Sequence, residues 1–226
     1  MRTRVSSQTK IINNYIQKVY LWMFIGLIIT SVTAYLVSQE PDLYNVILGN
    51  DIVFIGVLIA QFSAIISISA FIRRIPDNLA EITFILYCFL SGLTLSVIFL
   101  AFSIASIAYV VLITAAMFGF MSLYGYVTKT DLTSAGSILT MCLFGIILAL
   151  IVNLFLMNSV LDTILSILGV IVFSGLTAYD TQNIKNTLYS DGDLIKKEII
   201  GALNLYLDFV NIFLDLIKLF GKRRDG

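Results

Sequence analysis

The chain has 226 residues, 14 Lys and Arg balanced by 14 Asp and Glu, and is 59% hydrophobic but only 12% charged. Soluble domains average roughly 45–50% apolar and ~25% charged residues, and a fold of this size cannot hide so large an excess, because surface area falls too slowly with size. Disorder, nucleic-acid binding and a disulfide-stapled secreted fold are thereby excluded, and the long unbroken apolar runs predict an all-α integral membrane protein rather than an outer-membrane barrel of alternating ten-residue strands.

About 20 apolar residues cross the hydrocarbon core at ~1.5 Å per residue, and seven such spans are predicted. Residues 1–18 form a polar N-terminus carrying Arg2, Arg4, Lys10 and Lys18. The first span covers 19–37, and a loop with Glu40, Pro41 and Asp42 leads to the second, 52–72, which Arg73 and Arg74 end. Residues 82–126 are too long for one crossing and must turn near Ser103–Ser106, giving spans 82–101 and 107–126. After the polar loop 128–133, spans 134–156 and 161–179 meet at Asn158, Ser159 and Asp162. A hydrophilic stretch from Asp180 to Glu198 precedes the seventh span, 199–220. The whole chain, 1–226, reads as one membrane domain in the lipid bilayer. A cleavable signal peptide ending near Ser31-Val32-Thr33-Ala34 is the alternative for the first span, but six further spans follow it.

Orientation follows from the basic residues. With a cytoplasmic N-terminus, segments 1–18, 73–81, 127–133 and 180–200 hold four, two, one and three Lys or Arg, and loops 38–51, 102–106 and 157–160 hold none. Only the C-terminus disagrees, since Lys218, Lys222, Arg223 and Arg224 fall outside after seven crossings. A re-entrant last segment would remove that disagreement; seven crossings are retained because early helices dominate the rule.

Histidine is absent. That removes His-based metal sites, Ser–His and Cys–His nucleophiles, and the usual group that titrates near neutrality. Cys88 and Cys142 sit inside apolar runs and read as small buried hydrophobes. Chemistry is left to carboxylates, basic side chains, hydroxyls and backbone, a set suited to hard cations and protons.

The seventh span carries Asn204, Asp208, Asn211 and Asp215 at spacings of four, three and four, all on one helical face. A carboxylate facing lipid costs several kcal/mol, so this stripe must look at protein or water and is best placed centrally. A polar seam that only holds helices together would account for the two Asn; two Asp on the same stripe ask for more. In the assigned orientation Asp180, Asp208 and the pair Arg73–Arg74 share the cytoplasmic half of the bundle. Two carboxylates meeting there repel when both are ionised, and a shared proton relieves the repulsion.

These residues resemble the bacterial members of the Bax inhibitor-1, or transmembrane Bax inhibitor motif, family. Ala178-Tyr179-Asp180-Thr181-Gln182-Asn183-Ile184-Lys185 and Leu205-Tyr206-Leu207-Asp208-Phe209-Val210-Asn211-Ile212-Phe213 carry the resemblance, with Ser91-Gly92-Leu93-Thr94-Leu95 as a weaker echo. The resemblance implies a central seventh helix surrounded by the other six, and a pH-sensitive calcium leak gated by two Asp and one Arg. By motif the Asp are Asp180 and Asp208, and the Arg is Arg73 or Arg74. Asp215 departs from the family pattern, and either adds a second cation site or pairs with Lys218.

The function expected is therefore a cation leak passing Ca²⁺ toward the cytoplasm, with protons as the second ligand. Asn204, Asn211 and Asp215 are pore-lining candidates, and Asp180, Asp208 and Asp215 are transient Ca²⁺ ligands. No cofactor and no enzymatic activity are expected, and the place is the bacterial inner membrane. An intramembrane aspartyl protease is one alternative: Tyr179-Asp180 fits it, but Asp208 lacks a preceding Gly-x-Gly run. A non-conducting regulator of a membrane-protein partner is the other.

Overall fold

Side-chain caps, not the edge of hydropathy, mark where some of the helices begin. The computed structural model describes residues 2–72, 74–188 and 193–224, with side chains placed from residue 11 onward. Among them run α1 (Arg2–Gln39), α2 (Pro41–Ile47), α3 (Asp51–Phe71), α4 (Asp77–Ala101), α5 (Ile104–Val127), α6 (Thr133–Leu156), α7 (Ser159–Thr187) and α8 (Leu194–Phe220). All but α2 are long and apolar enough to cross a membrane. Asn50 Oδ1 accepts from the Ile52 N–H at 3.0 Å to start α3, and Asn158 Oδ1 accepts from Val160 at 2.9 Å to start α7. Asp131 does the same for Thr133 at 2.9 Å, and the Thr133 hydroxyl holds its carboxyl below the usual range. Each cap satisfies an N–H that would otherwise lack an acceptor. Met157, at φ 49°, ends α6 in the left-handed region.

Several helices outrun the spans expected from hydropathy. α1 begins at Arg2 rather than 19, α7 continues to Thr187 rather than 179, and α2 occupies part of the expected loop 38–51. A backbone leaving the membrane keeps its internal hydrogen bonds until a cap or turn replaces them. Asp180 consequently stands inside α7, not at its end.

The chain forms two compact units, and α8 runs through both. The first comprises residues 1–102, 187–206 and 224–226; the second comprises 103–186 and 207–223. In the first, α4 packs on α1 and α3. Gly92 permits the α1 contact, since a Cβ there would come within 2.6 Å of the Thr33 Cβ and 2.8 Å of the Thr30 carbonyl. The buried Tyr206 ring meets Phe84 and Tyr87 edge-on, with centroids 6.2 and 5.7 Å away, and its hydroxyl lies 2.7 Å from Thr30 Oγ1. Lys18 stands 3.3 Å from Glu198 and Lys196 stands 3.5 Å from Asp77, tying the start of α8 to α1 and α4. The Lys18 ammonium is the charged partner of the buried Glu198 Oε1.

The second unit is built on Ile146, Val172 and Leu176, with Leu139, Leu143 and Phe173 packed around them. Gly125 of α5 lies against the Ala178 carbonyl of α7, and Gly136 of α6 lies under the Tyr179 ring. Phe118 of α5 meets Phe209 of α8 at 5.5 Å. The C-terminal tail of α7 is tied down by Gln182, which accepts from the Leu132 N–H and donates to the Thr130 carbonyl, both at 2.8 Å.

Candidate functional site

Asp180 and Asp208 both lie in the second unit, on α7 and α8. Asp208 is buried, 4% exposed, while Asp180 is half-buried, and the Asp180 carboxyl is the charged group that acts on Asp208. Thr177, one turn before Asp180, lies within hydrogen-bonding reach of Asp208. A hydroxyl has one proton, however, and Thr177 donates it to the Phe173 carbonyl at 2.8 Å. Oδ2 of Asp208 has no hydrogen-bond partner.

Two more buried groups share that condition. Ser122 Oγ on α5 and Ser174 Oγ on α7 also have no partner. Both are on helix faces that pack against another helix or carry Thr177. Ser122 is on the stripe that carries Phe118, which touches Phe209, and Gly125, which touches Ala178. Ser174 is one turn before Ala178 and on the face of Thr177. An unpaired buried polar group costs about 1–3 kcal/mol and a charged one more, so these three groups are a polar set that the packing leaves unsatisfied. Such a set can hold a proton between the carboxyls, or offer oxygen ligands to a hard cation. Among the described residues no three acidic or thiol groups converge as a dedicated metal cluster.

The other sequence candidates are placed as follows. Asn204 is half-buried and belongs to the first unit. Asn211 donates to the Leu207 carbonyl at 2.8 Å, so its own helix satisfies its donor. Asp215 is half-buried against Gly169, with Ser166 in hydrogen-bonding reach and the charges of Lys218 and Asp162 nearby. Lys218 makes its ion pair with Asp162, at 3.6 Å. Arg74 is exposed in the first unit, its guanidinium 5.9 Å from the Phe71 ring centroid; Arg73 lies outside the described residues. Cys88 and Cys142 are free thiols, one buried and one exposed.

Ser122, Ser174 and Thr177 were not singled out from sequence. Each is one hydroxyl in an apolar run, and only helical spacing gives a signal: Ser122 is three before Gly125, Ser174 four before Ala178, and Thr177 three before Asp180.

The chain matches the family model for the inhibitor of apoptosis-promoting Bax1 over residues 12–225. It is 44% identical over 218 residues to the inner membrane protein YbhL of Escherichia coli K12, covering 94% of this chain and 93% of that protein. A protein of Borreliella burgdorferi is 42% identical over 227 residues, covering 99% of this chain and 98% of its own. One of Rickettsia prowazekii is 39% identical over 223 residues, covering 95% and 92%. Seven apolar helices, a model match spanning nearly the whole length, and an inner-membrane relative at this identity lead to one conclusion: the chain is a multi-pass membrane protein of the Bax inhibitor-1 family.

Proposed function

We propose that this protein is a pH-sensitive cation leak that passes Ca²⁺ down its gradient to the cytoplasm. One observation carries the reading: Asp208, buried within an apolar span, keeps an unpartnered carboxylate oxygen while Asp180 is its charged neighbour. A carboxylate so placed needs a proton or a cation, and exchanging the two is what a proton-gated cation path requires. Two carboxyls with a few hydroxyls make a weak oxygen site, which an ion can leave as well as enter.

In this reading the N-terminus is cytoplasmic and α8 is the central helix. Its apolar window is half buried, a larger share than in any other span, which supports that position. The arginine of the expected gate is Arg73 or Arg74. No cofactor takes part and no bond is cleaved. The test is Ca²⁺ entry into dye-loaded liposomes holding the purified chain. Entry should exceed that of empty liposomes and fall on Asp208→Asn; liposomes no leakier than the empty ones would leave a non-conducting regulator instead.

A further inference from the structure

One feature of the second unit is not used by the Asp pair. A cleft of about 300 Å³ opens between α6, α7 and α8, lined by Leu150, Ile151, Leu154, Asn153, Asp162 and Lys218 among others. Its charged end is set by the helix ends, since Asp162 is in the first turn of α7 and Lys218 in the last turn of α8. Both are at one margin of their spans, the depth of lipid head groups. Its wall is an apolar rail on α6, with Ile147, Leu150, Ile151 and Leu154 at spacings of three, one and three. Only 6% of the apolar window of α6 is buried, less than in any other span, so this wall opens to the bilayer.

The charges specify the guest. Asp162 and Lys218 stand 3.6 Å apart with both side chains nearly half exposed, so each retains capacity for a second partner. We propose that the cleft binds a membrane phospholipid whose head carries both a phosphodiester and a primary amine. The phosphodiester accepts from the Lys218 ammonium, the amine donates to the Asp162 carboxylate, and an acyl chain lies along the α6 rail. A quaternary amine has no proton to donate to Asp162. A glycerol head offers no cation to Asp162, whose carboxylate its phosphodiester would face at close range. The pocket is at the small end of ligand sites, of the size of a head group with its first methylenes. This assignment is independent of any conduction by the Asp pair.

The test is native mass spectrometry of the full chain, released from nanodiscs of equal parts phosphatidylethanolamine, phosphatidylcholine and phosphatidylglycerol. Retained lipid should be enriched in phosphatidylethanolamine about ten-fold, the worth of one charge-assisted hydrogen bond. Asp162→Asn should abolish the enrichment, Lys218→Ala should lower retention of all three lipids, and Lys218→Arg should preserve the wild-type pattern. Ile151→Trp, which fills the cleft and leaves the ion pair intact, should remove the retained lipid even if a charge variant fails to fold. Equal retention of the three lipids by wild type, or retained lipid unchanged by Ile151→Trp, would overturn the assignment.

Discussion

The Asp215 carboxylate occupies the space in which a side chain on Gly169 would begin. A glycine on α7 thus lets α8 bring a carboxylate against its neighbour's backbone. Gly169→Ala should push that carboxylate aside, at the ~1–3 kcal/mol typical of overpacking. Asp215→Ala should make the same glycine replaceable. Thermal unfolding of both singles and the double should give strongly non-additive changes; additive ones would mean that the two positions do not share space.

Helical glycines elsewhere divide in the same way. A Cβ on Gly119 meets nothing within 4 Å, whereas one on Gly125 runs into the Ala178 backbone, which cannot turn aside as a side chain can. Gly119→Ala should raise stability by up to about 1 kcal/mol through helix propensity. Gly125→Ala, with the same propensity gain, should lower it by roughly 1–3 kcal/mol. Denaturation midpoints of the two variants should move in opposite directions.

This difference also marks how far the sequence could be read. Seven spans, and Asp208 on a polar stripe, were legible because lipid excludes charge and makes apolar length a direct signal. The continuation of α7 past Asp180 to Thr187 was not, because hydropathy registers the hydrocarbon core and says nothing of where hydrogen bonding stops. Pairing was harder still. Asp215 and Lys218 are three apart on one helix, yet Lys218 makes its ion pair across to Asp162, a partner that only the packing of α7 on α8 brings into reach. Ser122 and Ser174 show the same limit: a lone hydroxyl in an apolar run looks like any other until packing buries it without a partner.

Those two serines distinguish a wet interior from a dry one. In a dry seam their unpartnered hydroxyls only cost desolvation, so Ser122→Ala and Ser174→Ala should each stabilise the fold by about 1–3 kcal/mol. Around a cation path, water reaches them, and each substitution removes one of the few partners that hold it. The leak reading therefore expects both variants to lower the melting temperature. A rise in both would show that the space around these hydroxyls is dry and would count against a path through it.

The Asp pair makes the sharpest demand, because its proton must appear in the pH profile of flux. If the closed state holds one proton between Asp180 and Asp208, closure binds a proton that the open state does not. By linkage, acid then favours the closed state, and flux rises as pH rises through the titration of the pair. Asp180→Asn leaves Asp208 without an acidic partner, so no proton is shared and the profile should flatten; Asp208→Asn should flatten it too, with lower flux throughout. If Arg74 is the arginine of the gate, its loss loosens closure, so Arg74→Ala should raise basal flux. If the gate uses Arg73 instead, Arg73→Ala should give that result while Arg74→Ala leaves flux unchanged. Asp215→Asn should alter the Ca²⁺ concentration at half-maximal flux and leave the pH profile in place. The measurement is Ca²⁺ entry into dye-loaded liposomes from acidic to mildly alkaline pH, with each variant checked for folding. Wild-type profiles in both Asp→Asn variants would place the proton-binding element elsewhere in the chain.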